Sequence, residues 1–211
     1  DQNIQFIIRE TLKQSINLFD ANGASSILLD AQTGKVISMI SLPDYDPNNR
    51  RELTNKSNLF NKNTKGLYEL GSIFKTFVIA NALEKNIVSR DKIYKNLPKE
   101  VVCGKFPIKE YRYSADKKNL TVNDILVESS NIGTIRIIQE TGLSSYRSFL
   151  DNLEIFNHSN IELPEVSSST KKRWGKCNTL TAGYGHGINT TPIPVSYTHL
   201  RAHETLSYLG C

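Results

Sequence analysis

No stretch of this 211-residue sequence is long and apolar enough to span a membrane, and no signal peptide opens it. The chain starts directly at Asp1, which predicts a helix without a leader and indicates the interior of a longer polypeptide. Three cysteines and four histidines show no spacing typical of a metal site or of a paired disulfide framework. The sequence therefore predicts neither, and its cysteine content leaves the cellular compartment open.

Concentrated positive charge is also absent. The net charge of +5 is spread along the chain, and the short basic run 171–173 is typical of a solvated loop. Nucleic-acid-binding proteins concentrate such charge on one helix or stripe, so no nucleic-acid partner is expected. An apolar fraction of 38% and a charged fraction of 22% exclude disorder and low complexity, and the length suits one domain with a substantial core.

Residues 195–211 have a different origin in our interpretation. The run from Val195 to Thr205 back-translates to the end sequence of a transposon adapter used in sequencing libraries, and Tyr208-Leu209 suits its continuation. Gly210 fits only with a base change, and a genuine C-terminal helix is the alternative. We therefore predict a partial domain over 1–194 and an adapter-derived artefact over 195–211.

Hydrophobic periodicity predicts five helices and one hairpin. The first helix has Asp1 as its N-cap and an apolar face made of Ile4, Ile7, Ile8, Leu12, Ile16 and Phe19. Two apolar runs around a turn at 32–35 predict an antiparallel hairpin. The other helices are predicted at 72–83, 121–128, 132–140 and 145–156. Thr121 and Asp124, three residues apart, predict a capping box for the second of these, and Gly142 is predicted to close the third. The polar stretches 50–65 and 159–172 are predicted to be a surface connection and a loop, and no internal repeat or linker divides the chain.

Five Ser-x-x-Lys patterns occur, beginning at Ser72, Ser89, Ser114, Ser168 and Ser169. Only the first opens an apolar helix, directly after Gly71, whose missing side chain lets a substrate approach the backbone. Residues three apart share a helix face, so the Lys75 amine can reach the Ser72 hydroxyl. Burial and the positive helix end lower a lysine pKa and favour negative charge on the serine oxygen. The alternative is a capping serine followed by a lysine with a buried stem.

A second motif, Ser129-Ser130-Asn131, lies between two predicted helices. A serine hydroxyl there can relay a proton to a leaving amine, and the Asn131 carboxamide can hold a substrate amide. Helix capping is the alternative, and the same Ser-x-Asn pattern at 15–17 has no companion signal. The two motifs together, in this order, indicate acyl transfer more strongly than either one alone.

The chain resembles the transpeptidases of class B penicillin-binding proteins, most of all the cell-division type. The resemblance covers the two motifs and the segments 23–36, 42–48, 68–75, 129–134, 173–175, 185–188 and 191–192. It implies an α+β fold of the β-lactamase and D,D-peptidase kind, in which helices cover both sides of an antiparallel sheet. The third family motif, Lys-Ser/Thr-Gly, is absent, so the fold is expected to be incomplete at its C-terminus. We expect an active parent enzyme and an inactive, poorly folded fragment.

The resemblance also implies residue roles. Ser72 would be the acylated nucleophile, Lys75 its base, Ser129 the proton relay and Asn131 a substrate-amide contact. The implied substrate-binding residues are Gly71, Ser130, Gly185 and Gly187. His186 is expected to be structural or near the substrate rather than a catalytic base, and Trp174 is expected to pack.

The implied substrate is a peptidoglycan stem peptide ending in D-Ala-D-Ala, and β-lactam antibiotics would acylate the same serine. No metal or organic cofactor is implied. Cell-division membrane proteins are implied partners. The implied location is the outer, periplasmic face of the cytoplasmic membrane, with the anchor absent from this chain.

Two other functions share these observations. One is a β-lactamase or β-lactam-sensing receptor domain, which a dedicated deacylating glutamate would favour, although none is identifiable. The other is a non-catalytic scaffold that kept the fold. A Lys-Thr-Gly within some tens of residues of Pro192 in an intact genomic copy would favour the transpeptidase, and a degraded triplet would favour the scaffold.

Overall fold

A computed structural model describes residues 1–49, 58–111, 118–157, 161, 163 and 174–193. Their contacts form two compact units. Within these ranges, the first unit holds the residues up to Tyr68 and segments that begin at Glu154 and Thr190. The second runs from Glu69 to Leu153 and, after residue 173, to Asn189. The prediction of a single domain over 1–194 stays a prediction.

The first unit contains a helix and a hairpin, both as predicted. Helix α1 (Gln2–Phe19) begins where the Asp1 side chain accepts a hydrogen bond from the Ile4 N–H at 3.1 Å. Strands β1 (Ala24–Leu29) and β2 (Val36–Leu42) pair antiparallel around a turn. The Asp30 carboxylate stabilises that turn by accepting two backbone N–H groups, which is common turn chemistry for Asp.

Helix α1 packs on β2, but only part of its predicted apolar face is covered. The half-buried members are Ile4, Ile8, Leu12 and Ile16. Ile7 and Phe19 are 63% and 75% exposed, so the prediction was too broad for these two. A helix on one hairpin contacts it along a narrow stripe, and these two residues lie beside that stripe.

The surface connection predicted at 50–65 was wrong at two of the residues that the structure describes, Asn63 and Thr64, whereas Leu59 and Phe60 are exposed. Asn63 and Thr64 are 1% and 0% exposed. The Asn63 carboxamide donates to the Ile40 carbonyl at 2.8 Å, which satisfies a polar group that sequence polarity alone assigns to the surface.

The second unit is built from helices around an apolar core. A 3₁₀ turn (Gly71–Ile73) leads into α2 (Phe74–Glu84), and α3 (Val122–Val127), α4 (Asn131–Thr141) and α5 (Leu143–Asn152) pack against α2. Core side chains that are at most 1% exposed include Phe74, Phe77, Ile125, Ile132, Ile135, Ile138, Tyr146 and Leu150.

The predicted helices of this unit are confirmed with small shifts at their ends. Thr121 and Asp124 form the predicted capping box of α3, each side chain accepting the other residue's backbone N–H. Helix α4 is closed by Gly142, its C-cap, as predicted. Helix α5 starts at Leu143 and ends at Asn152, earlier than predicted at both ends.

Several short elements of the second unit were not predicted. These are β3 (Ile93–Tyr94), β4 (Glu100–Cys103), β5 (Phe106–Lys109), β6 (Leu120–Thr121) and α6 (Lys176–Ala182). Strands β3 and β6 pair antiparallel, as do β4 and β5. Their two to four residues are too short to show a hydrophobic period.

A disulfide joins Cys103 at the end of β4 to Cys177 in α6. The prediction of no disulfide framework was therefore wrong for this pair. The two cysteines are separated by 74 residues, and spacing along the chain carries no signal for a contact that only the fold creates.

The α+β class and the antiparallel strand pairing are confirmed. Among the described residues, no helix combines the length and apolarity that crossing a bilayer requires. Residues 195–211 and most of the predicted loop 159–172 lie outside the described residues.

Candidate active site

Ser72 lies in the 3₁₀ turn that leads into α2, and its neighbourhood changes sharply from exposed to buried. Ser72 and Ile73 are exposed, whereas Phe74 is 0% exposed and contacts the Phe77 ring edge-on, with centroids 5.4 Å apart. The apolar helix α2 is thus anchored in the core, while the 3₁₀ turn before it presents the serine hydroxyl at the surface. This matches the placement predicted for the first Ser-x-x-Lys pattern.

The other Ser-x-x-Lys patterns do not share this setting where they are described. Ser89 lies in a turn after α2, and Lys92 forms an ion pair with Glu140. The patterns at Ser114, Ser168 and Ser169 lie outside the described residues.

Lys75 is the second residue of α2 and is buried, with 1% of its surface exposed. Its amine donates to the Ser129 carbonyl and to the Ser129 hydroxyl, the latter at 2.8 Å. Burial lowers the pKa of Lys75 to about 8, while the negative charge of Glu110 acts in the opposite direction. The amine is therefore much closer to its neutral form at neutral pH than an exposed lysine would be.

Ser129 connects the two motifs. Its hydroxyl accepts from Lys75 and donates to the Ser72 hydroxyl at 3.0 Å. The structure thus brings Ser72, Lys75 and the turn at Ser129 together, as the acyl-transfer hypothesis requires. The Ser-x-x-Lys spacing predicts that the Lys75 amine reaches the Ser72 hydroxyl directly. In the structure the Ser129 hydroxyl lies between them in the hydrogen-bonded series.

The next two residues of the second motif also cap a helix. Ser130 is 4% exposed, and its hydroxyl accepts the Gly133 N–H at 2.8 Å at the start of α4. It also donates to the Glu110 carboxylate at 2.5 Å. The Asn131 carboxamide donates to the Lys109 carbonyl at 3.0 Å. The capping alternative is therefore realised at Ser130, and substrate contacts at both residues stay predictions.

Of the predicted glycines, Gly185 contacts Gly71, which directly precedes Ser72. Gly71 and Gly185 have φ angles of +62° and +72°, which favour glycine. A Cβ on Gly185 would lie 2.1 Å from the Gly71 carbonyl oxygen, so the two backbones touch. Gly187 donates its N–H to the Glu69 carboxylate at 3.0 Å, and His186 Nδ1 lies 3.0 Å from the same carboxylate. The loop 185–187 is thus fixed against the segment before Ser72.

Sequence reasoning missed two carboxylates of this site, Glu69 and Glu110. Glu69 lies shortly before the nucleophile motif, and Glu110 follows β5 in a segment without helical or strand periodicity. Both bind backbone N–H groups of distant segments. No local pattern marks such contacts, because the partners become neighbours only in the folded chain.

Comparison with known proteins places this geometry in a family. Residues 24–197 match the family model described as the penicillin binding protein transpeptidase domain. The chain is 30% identical over 215 positions to the peptidoglycan D,D-transpeptidase FtsI of Buchnera aphidicola subsp. Baizongia pistaciae, covering 100% of this chain and 36% of that protein. It is 26% identical to FtsI of Escherichia coli K12, covering 100% of this chain and 34% of that protein.

The solved structures agree on the fold. Penicillin binding protein 3 of Mycobacterium tuberculosis, complexed with aztreonam, matches with a TM-score of 0.86 and 22% identity, over 95% of this chain and 45% of that one. The transpeptidase domain of Burkholderia pseudomallei penicillin-binding protein 3 matches with a TM-score of 0.81 and 21% identity, over 95% of this chain and 56% of that one.

The chain spans about a third of the length of the curated relatives it matches, at 34–36%. The family match nevertheless covers most of the chain and includes both motifs. The predicted β-lactamase and D,D-peptidase kind of fold is confirmed by the solved structures. This chain belongs to the penicillin-binding protein transpeptidase domain family.

Proposed function

We propose that this chain carries the catalytic machinery of a peptidoglycan D,D-transpeptidase that works through an acyl-enzyme on Ser72. The observation that carries the proposal is the hydrogen-bonded series from the buried Lys75 amine through the Ser129 hydroxyl to the Ser72 hydroxyl. The names of the relatives, peptidoglycan D,D-transpeptidases, support the same reaction class.

The first step needs a neutral Lys75. With a pKa of about 8, roughly a tenth of the amines are neutral at pH 7. In that state the hydrogen bonds run the other way, and Ser72 donates to Ser129 while Ser129 donates to Lys75. The proton can then leave Ser72 as its oxygen attacks the carbonyl carbon of the penultimate D-alanine.

The second step returns the proton. Lys75, now protonated, passes it through Ser129 to the nitrogen of the terminal D-alanine, which leaves as its C–N bond breaks and the ester on Ser72 forms. An amine of a neighbouring stem peptide then attacks that ester. A new amide bond forms, and Ser72 recovers a proton along the same path. Atoms and charges balance over the cycle.

Two further groups would hold the substrate. Among the described residues, nothing donates to the carboxamide oxygen of Asn131, which leaves it to accept a substrate amide N–H. The backbone N–H of Ser72, in the turn that opens α2, would stabilise the developing oxyanion.

The same proposal includes ligands, partners and location. β-Lactams would acylate Ser72 because they imitate the D-Ala-D-Ala terminus. A location at the outer face of the cytoplasmic membrane is supported by the Cys103–Cys177 disulfide, since disulfides persist mainly in oxidising compartments. A partnership with cell-division membrane proteins rests only on the resemblance to the cell-division type.

The test is to map the acylated residue. The natural gene product that carries this sequence is labelled with fluorescent penicillin and digested with trypsin. The adduct is expected on the peptide 66–75, which holds Ser72. The peptide 86–90 holds Ser89, the start of another Ser-x-x-Lys, and is expected to stay unlabelled as the matched control. No adduct, or one on the control peptide, would refute the proposal.

Gly185→Ala is expected to lower the rate of β-lactam acylation by roughly 100-fold, because it displaces the backbone beside Ser72. The added Cβ would lie 2.1 Å from the Gly71 carbonyl oxygen and would occupy a φ of +72°. Gly175→Ala is the control, since a Cβ there meets nothing within 4 Å. Equal acylation rates for the two variants would show that the contact between Gly185 and Gly71 is unimportant.

A further inference from the structure

The Glu110 carboxylate binds three donors of the second motif and of α4. Oε1 accepts the Ser130 hydroxyl at 2.5 Å and the Ile132 N–H at 2.9 Å. Oε2 accepts the Asn131 N–H at 3.0 Å. Glu110 follows directly after β5, so a side chain from the β4–β5 hairpin is fixed on the first turn of a helix.

These bonds are strong ones for physical reasons. The first N–H groups of a helix have no partner inside the helix, and the positive end of α4 favours a negative charge there. Hydrogen bonds to an ionised acceptor are shorter and stronger than neutral ones. Glu110 lies 21 residues before Asn131, so a non-local contact does much of the capping that a helix usually takes from its own sequence.

The same turn is fixed from the other side. Lys75 donates to the Ser129 carbonyl, and Asn131 donates its carboxamide to the Lys109 carbonyl at 3.0 Å. Ser129 itself has a φ of 55°, a left-handed conformation that a non-glycine residue keeps only when its surroundings impose it. The position of the Ser129 hydroxyl therefore depends on the contacts of its neighbours in the turn.

We propose that Glu110 is a positioning residue of the active site. Its carboxylate holds the Ser129–Asn131 turn so that the Ser129 hydroxyl stays within reach of both Ser72 and Lys75. This inference rests on the proposed function, because acylation of Ser72 is the step that the positioning serves.

Glu110 also acts on the proton acceptor. Its negative charge raises the pKa of Lys75 against the larger effect of burial. The helices packed against α2 carry or adjoin other charged residues, namely Asp124, Glu128, Arg136, Glu140, Arg147 and Asp151. Among the described residues, Glu110 is the charged group with a resolved effect on Lys75. Loss of its charge is therefore expected to lower the Lys75 pKa, which a purely structural role would not do.

The decisive variant is Glu110→Gln in the natural gene product that carries this sequence. It keeps the shape of the side chain but removes the charge and places an NH₂ group against backbone N–H donors. The rate constant of β-lactam acylation is expected to fall roughly 10- to 100-fold, because the Ser129 hydroxyl loses its exact placement. The wild-type rate is expected to rise with pH to a midpoint near pH 8, since only neutral Lys75 accepts the proton. In Glu110→Gln this midpoint is expected at lower pH.

Two further variants separate charge from shape. Glu110→Asp keeps the charge on a shorter side chain. Its pH midpoint is therefore expected to match the wild type, and its acylation rate is expected to lie between those of the wild type and Glu110→Gln. Glu100→Gln makes the same charge change on the same hairpin, where the side chain is 48% exposed and 3.9 Å from the Lys109 amine. Its rate is expected within about twofold of the wild type, since exposed ion pairs contribute little.

A readout without acylation keeps this inference separate from the proposed function. Amide hydrogen exchange in the peptide covering 129–134 is expected to be faster in Glu110→Gln than in the wild type or Glu100→Gln. If wild-type protein is not acylated at Ser72, the proposed function fails, and exchange still decides the role of Glu110. The inference is overturned if Glu110→Gln has the same amide exchange in 129–134, the same acylation rate constant and the same pH midpoint as the wild type. If that variant does not fold, a wild-type acylation rate in Glu110→Asp would overturn it.

Discussion

In the natural gene product that carries this sequence, Lys75→Met is expected to lower the rate of acylation at Ser72 by roughly 10²–10⁴-fold, the usual contribution of a general base. Methionine fills the buried position without a charge, but it offers no proton acceptor to the Ser129 hydroxyl. Lys75 is 1% exposed, so an apolar side chain of similar length suits the site. The substitution removes the Lys75 donor from the Ser129 carbonyl, so a loss of about 1–3 kcal/mol in the free energy of unfolding is expected as well. The measurement is the second-order rate constant with a fluorescent penicillin, beside a thermal unfolding curve.

Lys85→Met is the control for this substitution. Lys85 follows the last residue of α2 and is exposed, so its acylation rate and melting temperature are expected to match the wild type. Unchanged acylation in Lys75→Met, in a variant that still unfolds cooperatively, would exclude Lys75 as the base. In that case the proton of Ser72 would have to leave by a route that includes neither Lys75 nor a transfer from Ser129 to it.

Replacing both Cys103 and Cys177 by serine is expected to lower the free energy of unfolding by about 4 kcal/mol. The disulfide closes a loop with a sequence separation of 74 residues, and loops of this length restrict the unfolded chain strongly. The melting temperature is expected to fall by roughly 10 °C. Thermal unfolding monitored by circular dichroism measures the change.

Reduction supplies the matched control for the disulfide. A thiol reductant is expected to lower the melting temperature of the wild type to that of the double serine variant and to leave the variant unchanged. Labelling of both cysteines by iodoacetamide in the folded, unreduced protein would show that the bond does not form. Equal melting temperatures with and without reductant would show that the bond does not restrict the unfolded chain.

Local sequence chemistry predicted much of this fold. The capping box of Thr121 and Asp124 and the N-cap at Asp1 were predictable because their partners lie three residues away. Helix α2 was predictable because its residues are apolar on almost every side, which suits only a buried helix.

Contacts between distant segments were not predictable. The Cys103–Cys177 bond and the capping of α4 by Glu110 join residues that have no shared local pattern. Helix α6 was missed because its sequence is mostly polar and is closed by glycines on both sides. Tertiary packing, and not propensity, selects helix for such a segment.

The candidate site shows the same division. Its serines and lysine were recognised from motif and setting, whereas their connection was not. Sequence spacing placed Lys75 beside Ser72 on one face, but the amine turns to the Ser129 carbonyl and hydroxyl instead. The reason is that a buried ammonium needs several acceptors, and the turn at Ser129 offers two in one place.

At Ser129 the left-handed backbone favours glycine, whereas the hydrogen bonds of the site require a hydroxyl. A φ of 55° suits glycine, and a serine held there costs roughly 1–2 kcal/mol in local conformation. Glycine would relieve that strain, but it has no side-chain hydroxyl to hydrogen-bond with both the Lys75 amine and the Ser72 hydroxyl. Higher thermal stability and faster acylation therefore favour different residues at position 129, and a glycine there would remove the proton relay of the proposed mechanism.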